Sequence, residues 1–111
     1  MYGIRNCDTV KRACAWLERH GVEYRFHDYK VAGIDMARLD RWCGEVGWEA
    51  LLNRAGTTFR QLADSQKQRL TQERAKVLMQ AQPSVIKRPV VELNGRLIVG
   101  FKPELYESLP W

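Results

Sequence analysis

Cys7 is the side chain in this sequence whose setting most favours nucleophilic chemistry. It follows a short apolar run at residues 2–4 and immediately precedes an amphipathic stretch with helical spacing. A thiol at such a junction faces the unsatisfied N–H groups and positive partial charge of a helix N-terminus, which favour the thiolate. Because the thiolate is the reactive form of cysteine, the position predicts a nucleophile of lowered pKa. The alternative is an inert cysteine at the end of a strand.

The other two cysteines do not offer Cys7 a partner. Cys14 follows on the same predicted helix, about 10 Å further along at ~1.5 Å per residue. A disulfide needs Cα atoms within roughly 4.4–6.8 Å, so Cys7 and Cys14 cannot pair while the helix is intact. Cys14 and Cys43 both fall on apolar helical faces, which predicts that they fill the core. Cys7 is therefore predicted to act as a single thiol, released from a mixed disulfide by an external thiol such as glutathione.

The sequence predicts no metal and no nucleotide cofactor. His20 and His27 share no Cys-x-x-Cys or His-x-x-x-His spacing with the cysteines, which argues against a zinc site. No phosphate-binding glycine loop or dinucleotide fingerprint is present either. His20 instead precedes Gly21 at the predicted end of the first helix, where a cation suits the helix dipole.

The first segment of the chain reads as strand, helix and strand. After a short strand at residues 2–4, Asp8 or Thr9 is expected to cap a helix that ends near Gly21. Residues 22–29 then alternate apolar and polar side chains, which predicts a second strand. A βαβ unit of this kind implies two parallel strands joined by a right-handed crossover.

The middle of the chain predicts helices only. Asp35 is expected to cap a helix that closes at Gly47, and a short helix should cover residues 48–53. A Gly-Thr-Thr turn is expected at 56–58, and a further helix should run from 71 to 81.

The end of the chain returns to strands. Asn94-Gly95 separates two strand-like runs, 89–93 and 96–99, and this dipeptide strongly favours a hairpin. Pro103 suits the first turn of a last helix. The order is βαβ, a helical block, then ββα. This arrangement resembles a thioredoxin-like α/β fold, with a mixed four-stranded sheet and an all-helical insertion.

The composition limits size, location and partners. The 111 residues suit one domain, with a thioredoxin-like core over 1–34 and 84–111 and the insertion over 35–83. Three cysteines, an odd number, favour free thiols in a reducing cytoplasm, and no signal peptide or membrane-spanning run is visible. The net charge of +5 is spread without a basic block, so direct nucleic-acid binding is not expected. A monomer is the working expectation.

Several blocks of the sequence resemble a known family. They are Tyr-Gly-Ile-Arg-Asn-Cys-Asp-Thr (2–9), Tyr-Arg-Phe-His-Asp-Tyr (24–29), the run 47–60, Ile-Lys-Arg-Pro (86–89) and Val-Gly-Phe-Lys-Pro-Glu (99–104). Together they are similar to the YffB branch of the arsenate reductase (ArsC)/Spx family. The resemblance implies a thioredoxin-like core with a helical insertion. It also implies a cis peptide bond at Arg88-Pro89, facing the reactive cysteine.

Taken with this resemblance, the single thiol predicts a glutathione-dependent thiol reductase. Cys7 would form a mixed adduct with an oxidised thiol or small anionic substrate, and glutathione, as co-substrate, would resolve it. Arg88 would stabilise the Cys7 thiolate while its backbone pairs with the bound tripeptide, although a solvated loop residue is the alternative. The residues expected to bind substrate or glutathione are Asn6, Lys11, Arg54, Arg60, Arg88, Pro89 and Lys102.

Two other functions of the family are alternatives. Asn53 and Lys102 fall where an arsenate reductase would place oxyanion-binding arginines, and lysine lacks the planar fork of arginine. Asp8 adds an anion beside the cysteine, so arsenate is not the expected substrate. Spx-type regulators carry a Cys-x-x-Cys switch, whose second position is Val10 here. The main alternative is thus a non-catalytic, Spx-like module that docks on RNA polymerase or another protein partner.

Overall fold

The strands lie near the two ends of the sequence, and helices fill the middle. The computed structural model describes residues 1–111. In chain order the elements are β1 (Tyr2–Gly3), α1 (Asp8–Arg19), β2 (His27–Asp28), α2 (Tyr29–Ala32), α3 (Met36–Val46), α4 (Trp48–Leu51), α5 (Thr57–Arg60), α6 (Asp64–Lys67), α7 (Gln72–Ala81), a 3₁₀ turn (Pro83–Val85), β3 (Val90–Leu93), β4 (Arg96–Val99) and α8 (Pro103–Glu107). They form two units: unit 1 comprises residues 1–32 and 88–111, and unit 2 comprises residues 33–87.

Unit 1 contains one mixed sheet with the strand order β2-β1-β3-β4. β1 pairs in parallel with β2 and antiparallel with β3, and β3 pairs antiparallel with β4. The predicted combination of a parallel pair from the βαβ unit with a late antiparallel hairpin is therefore confirmed. None of the helices combines the length and apolar character needed to cross a lipid bilayer.

The hairpin between β3 and β4 forms where the Asn-Gly signal predicts it. Asn94 and Gly95 have φ values of 48° and 80°, so both central residues of the turn are left-handed. Such a turn twists in the same sense as the strands it joins. Leu93 and Arg96 pair directly beside it. Pro103 occupies the first turn of α8, again as predicted.

The apolar face of α1 anchors that helix in the core of unit 1. Its buried side chains are Val10, Ala13, Trp16 and Leu17, and they pack in one cluster with Val91, Ile98 and Tyr106. Trp16 and Phe101 both meet the Tyr106 ring edge-on, at centroid distances of 5.4 and 4.7 Å. Full burial stabilises by about 1.5–3 kcal/mol for each large apolar side chain. This packing fixes α1, and with it the position of the helix N-terminus.

The second predicted strand is much shorter than expected. Residues 22–26 keep alternating exposure, but they form no ladder, and only His27–Asp28 pairs with β1. The physical reason is that β1 itself has two residues rather than the predicted three, so it offers few partners. Two further contacts hold the preceding segment: the Met1 amino group donates to the Arg25 carbonyl at 2.7 Å, and the His27 N–H donates to the Met1 carbonyl at 2.8 Å.

Unit 2 is helical, as predicted, and its main caps are those that the sequence indicates. The Asp35 carboxylate accepts the Arg38 N–H at 2.7 Å at the start of α3, and Gly47 ends that helix with a φ of 84°. Thr71 caps α7 in the same way, accepting the Arg74 N–H at 3.3 Å. The core of unit 2 comes mainly from α3, α4, α7 and the 3₁₀ turn. Its buried side chains include Leu39, Trp42, Cys43, Leu51, Met79 and Val85.

Two details of unit 2 differ from the prediction. The expected turn at 56–58 is wrong, because Gly56 is the N-cap of α5 and Thr57 is already helical. The short helix predicted over 48–53 ends at Leu51, since Leu52 turns extended and bridges to Ile86. The Leu51 carbonyl accepts the Lys87 N–H at 2.7 Å, which completes this pairing.

Candidate active site

Cys7 is the N-cap residue of α1, so the thiol stands at the helix N-terminus. Its backbone is extended, with φ −143° and ψ 124°, and its carbonyl accepts the first helical hydrogen bond from the Lys11 N–H at 2.9 Å. The prediction that Asp8 or Thr9 caps this helix is wrong. Asp8 is the first helical residue, and the Thr9 hydroxyl accepts a long hydrogen bond of 3.5 Å from Arg12. The cap position thus belongs to the candidate nucleophile itself.

The surroundings of Cys7 favour its thiolate. Partial burial raises the pKa of Cys7, but the Val10 N–H, the Arg88 guanidinium and the Thr9 N–H together outweigh that cost and hold the pKa below its ordinary value. The thiol makes no cap hydrogen bond of standard geometry. The N–H groups therefore act mainly as the positive end of the helix dipole, while Arg88 adds a charged donor. Cys7 stays half-exposed, so a substrate can reach the sulfur.

Arg88 links Cys7 to a second side chain. The half-buried guanidinium donates hydrogen bonds towards the Cys7 sulfur and towards the hydroxyl of Tyr29. Tyr29 is fully buried, and burial raises the pKa of its hydroxyl, an effect that Arg88 opposes. The Arg88-Pro89 peptide bond is cis, as the resemblance implies. Three segments of unit 1 therefore converge on one guanidinium.

Asp28, beside Tyr29, joins the Cys7 loop to the start of α2. Its carboxylate accepts the Lys30 N–H at 3.0 Å and, through the other oxygen, the Arg5 N–H at 3.4 Å. Sequence reasoning missed both Asp28 and Tyr29. One signal was available, since aspartate at the end of a strand is a favoured residue for starting a helix. The burial of the tyrosine and its contact with Arg88 depend on distant parts of the chain and left no local signal.

Two of the predicted binding residues of unit 1, Asn6 and Lys11, lie around this helix start. Asn6 is exposed directly before Cys7, and Lys11 is exposed in the first turn of α1. Lys11 also lines a groove of about 340 Å³ that includes Arg5 and Cys14. Two further residues lie elsewhere in the unit: Pro89 is buried at the start of β3, and Lys102 is the exposed N-cap of α8.

Arg54 and Arg60, also predicted to bind substrate, belong to unit 2. The Arg54 guanidinium lies over the Trp48 ring, 5.4 Å from its centroid, and Arg54 lines a cavity of about 300 Å³ with Lys67 and Arg69. The Arg60 carbonyl accepts a hydrogen bond of 2.6 Å from Lys67. Arg54, Lys67 and Arg69 therefore form a positively charged patch within unit 2. The assignment of Arg54 and Arg60 to the substrate site stays a prediction.

The other cysteines have different surroundings from Cys7, and all three thiols are free. Cys43 is buried, which confirms its predicted place in the core. Cys14 is half-buried and packs beside the core of unit 1, with its sulfur 3.7 Å from that of Met1. A cavity of about 1140 Å³ in unit 1 is lined by neither Cys7 nor Arg88. The structure groups no three His, Cys, Asp or Glu side chains as metal ligands.

Comparison with known proteins shows which family the chain belongs to. The sequence profile of the ArsC family matches residues 2–109, nearly the whole chain, and the protein belongs to that family. The solved structure of a YffB protein is 59% identical, with a TM-score of 0.93 over 96% of this chain and 94% of the other. The predicted family and the thioredoxin-like α/β fold are both confirmed.

Two further relatives define the range of the family. An arsenate reductase (ArsC) related protein of Brucella melitensis is 56% identical, with a TM-score of 0.79 over 96% of this chain and 89% of that one. The global transcriptional regulator Spx of Streptococcus mutans is 27% identical over 95% of this chain and 78% of its own length. The chain is thus related both to arsenate reductases, which are oxidoreductases, and to transcriptional regulators.

Proposed function

We propose that this protein is a glutathione-dependent thiol reductase with Cys7 as its nucleophile. The observation that carries the proposal is the position of the Cys7 thiol at the N-cap of α1 with Arg88 as a charged donor, which lowers the thiol pKa. A lowered pKa raises the thiolate fraction at neutral pH, and thiolate is the form that attacks a disulfide. Three free thiols suit a reducing compartment, so we place this activity in the cytoplasm.

In the first step, the Cys7 thiolate attacks one sulfur of a mixed disulfide between a substrate thiol and glutathione. A bond forms between the Cys7 sulfur and the glutathionyl sulfur as the original S–S bond breaks, and the substrate leaves as a thiolate with the bonding electron pair. Negative charge moves from Cys7 to the leaving sulfur during this step. Arg88, whose guanidinium already faces the Cys7 sulfur, would offset that charge as it develops.

In the second step, the thiolate of a second glutathione attacks the glutathionyl sulfur held on Cys7. The products are glutathione disulfide and the free Cys7 thiolate, so the substrate disulfide has been reduced and glutathione oxidised. A thiol of low pKa is also a good leaving group, so the same surroundings assist both steps. Cys14 cannot resolve the adduct, because it lies two helical turns away in an intact α1.

The exposed cations of unit 1 suit a peptide with carboxylates. Glutathione carries two carboxylates, and the exposed cations Lys11 and Lys102 are the proposed partners for them in unit 1. Asn6 and Pro89 flank the nucleophile and Arg88 and would contact the peptide backbone. Arg54 and Arg60 are proposed to bind an anionic part of the substrate. The positive charge of both side chains supports this assignment.

An NMR titration of the reduced protein with glutathione tests the proposal, with Cys7→Ser and Cys14→Ala titrated alongside. Saturable shifts around Cys7, Lys11 and Arg88 are expected. A glutathionylated peptide supplied as substrate should be reduced by the native protein and by Cys14→Ala but not by Cys7→Ser. Absence of saturable shifts at millimolar glutathione, together with unchanged peptide, would reject the reductase assignment.

The second candidate is a non-catalytic, Spx-like module that docks on a protein partner such as RNA polymerase. The likeness to Spx of Streptococcus mutans favours it. A docking module has no need of a lowered thiol pKa, which is why the reductase is the better supported proposal. Arsenate reduction is the third and weakest candidate, because Asp8, Asn53 and Lys102 replace features of the arsenate site that the family resemblance implies.

A further inference from the structure

Unit 1 contains two tyrosines that are completely buried, Tyr29 and Tyr106, and their hydroxyl groups differ. The Tyr106 hydroxyl has no hydrogen-bond partner. The Tyr29 hydroxyl accepts from the Arg88 guanidinium. Burying a hydroxyl without a partner costs free energy, so a buried hydroxyl that is satisfied by a cation holds that cation in a defined place. The two residues therefore form a natural pair for separating packing from hydrogen bonding.

Arg88 is shared between Tyr29 and Cys7. A guanidinium has five N–H donors in a rigid planar fork, so donating to Tyr29 leaves N–H groups for the Cys7 sulfur. A flexible arginine on a surface loop loses side-chain entropy when it points at one acceptor. The buried Tyr29 hydroxyl already restricts the Arg88 side chain, so less entropy is lost when the guanidinium also donates to Cys7. Tyr29 is well placed for this, because it is the first residue of α2 and its ring is immobilised by burial.

Asp28 connects the start of α2 to the loop that carries Cys7. Its carboxylate holds the N–H of Lys30 in α2 and the N–H of Arg5 in the loop that leads to Cys7. The charged and titratable groups that face this region are therefore Arg88 before β3, Asp28 at the end of β2, Tyr29 on α2 and the N-terminus of α1. Among them, Arg88 and the helix N-terminus favour a thiolate, whereas Asp28 carries negative charge.

We propose that Tyr29 is a positioning residue, whose buried hydroxyl orients the Arg88 guanidinium towards the Cys7 sulfur. Tyr29 itself does not contact the substrate and acts only through Arg88. The inference rests on the proposed role of Cys7, but it concerns the thiol before any glutathione binds. The opposite arrangement, in which Tyr29 competes with Cys7 for the N–H groups of Arg88, predicts the reverse effect when the hydroxyl is removed.

The test is the rate at which iodoacetamide alkylates Cys7 as a function of pH, followed by mass spectrometry of the Cys7 peptide. In Tyr29→Phe the alkylation rate below the midpoint should fall about two- to threefold, as for a small upward shift of the profile, and the high-pH plateau should be unchanged. Tyr106→Phe removes a hydroxyl of equal burial without a partner, and its profile should match that of the native protein.

A double-mutant cycle shows whether Tyr29 acts through Arg88. In an Arg88→Ala background, adding Tyr29→Phe should leave the profile unchanged, because the guanidinium to be positioned is gone. An equal effect in both backgrounds would mean that Tyr29 supports the site only by packing. A faster alkylation of Tyr29→Phe would favour competition. Either result overturns the proposal, and neither depends on whether glutathione is a substrate.

A measurement on the native protein keeps the proposal testable if Tyr29→Phe does not fold. NMR of the Arg88 guanidinium should show restricted rotation about its C–N bonds, with Tyr106→Phe again as the matched control. Averaged, freely rotating guanidinium signals in the native protein would contradict the proposed anchor. If the native protein failed to reduce the glutathionylated peptide but kept the expected pH profiles, the proposed function would be rejected and the role of Tyr29 would stand.

Discussion

Two cysteines, Cys7 in unit 1 and Cys43 in unit 2, have a cation beside them but opposite protonation behaviour. Burial raises the pKa of both thiols. At Cys7 the helix N-terminus and Arg88 reverse that effect and the pKa is lowered. At Cys43, in the last turn of α3, Lys76 opposes the effect of burial without overcoming it. A nearby positive charge is therefore not enough to make a reactive thiol.

The difference lies in how each cation is used. Lys76 is nearly buried, and its ammonium group is bound by the carboxylates of Asp40 and Glu73, the second at 3.0 Å. These carboxylates raise the pKa of Lys76 and also raise that of Cys43. Arg88 donates towards the hydroxyl of Tyr29, and its charge also lowers the pKa of Cys7. Cys43 also lacks the helix N-terminus, since it lies three residues before the last residue of α3.

The largest expected effect is that Cys7, but not Cys43, forms a mixed disulfide with glutathione. Glutathione disulfide should form a mixed disulfide with Cys7 in the native protein, and Cys7→Ser should abolish it. Cys43→Ala should keep the adduct and lose about 1–2 kcal/mol of stability from the core. Intact-mass spectrometry of the three proteins measures the adduct. Modification that persists in Cys7→Ser at the native level would show that exposure, rather than the helix N-terminus, selects the reactive thiol.

The next effect concerns the contribution of Arg88. Arg88→Ala should slow alkylation of Cys7 about three- to tenfold at about pH 6, because a charge-assisted hydrogen bond to a partly exposed thiolate is lost. The helix N-terminus remains, so reactivity should stay above that of Cys43. Lys87→Ala, at the neighbouring exposed position, is the matched control and should be close to the native protein. Equal rates for both variants would assign the lowered pKa to the helix alone.

A third and smaller effect should appear when Lys76 is released from its carboxylates. Asp40→Asn combined with Glu73→Gln removes two negative charges and frees the ammonium group, so the pKa of Cys43 should fall. NMR titration of the Cys43 side-chain carbon follows the change directly. Glu45→Gln, on the same helix, removes a charge that does not hold Lys76 and should change the titration less. A pKa that rises or stays fixed in the double variant would contradict the comparison.

The sequence predicted features that depend on neighbouring residues and missed those that depend on distant ones. The helix start after Cys7, the Asp35 cap and the Asn94-Gly95 turn all follow from local residue preferences. The strand expected over 22–29 forms only over His27–Asp28, because its extent depends on the length of β1. The prediction that Asp8 or Thr9 caps α1 was wrong because the helix begins at Asp8, which makes Cys7 the cap residue.

The candidate site was predicted in the same uneven way. Cys7 could be identified from its position at a helix start, and Arg88 from its place beside Pro89 in a resembled block. Tyr29 could not be identified, because its burial and its contact with Arg88 join α2 to the segment before β3. The binding of Lys76 by Asp40 likewise brings together α7 and α3, which no local pattern indicates.

The smallest expected effect is a difference in how the two thiols change stability with pH. Unfolded cysteine has a pKa of about 8.5, so folding lowers that of Cys7 and raises that of Cys43. Between the folded pKa of Cys7 and about 8.5, the unfolded state binds more protons at this site, and stability must rise with pH. That contribution is complete above the unfolded value and is lost as pH falls through the folded one.

For Cys43 the sign is reversed, since its contribution is present below the unfolded pKa and is lost as pH rises towards the folded value. Urea unfolding under reducing conditions, at about pH 6 and about pH 9, can compare the native protein with each variant. The stability of the native protein relative to Cys7→Ser should increase with pH, whereas its stability relative to Cys43→Ala should decrease. If both differences decreased with pH, burial would govern both thiols, and the helix N-terminus and Arg88 would not set Cys7 apart; if both increased, the raised pKa of Cys43 would be contradicted.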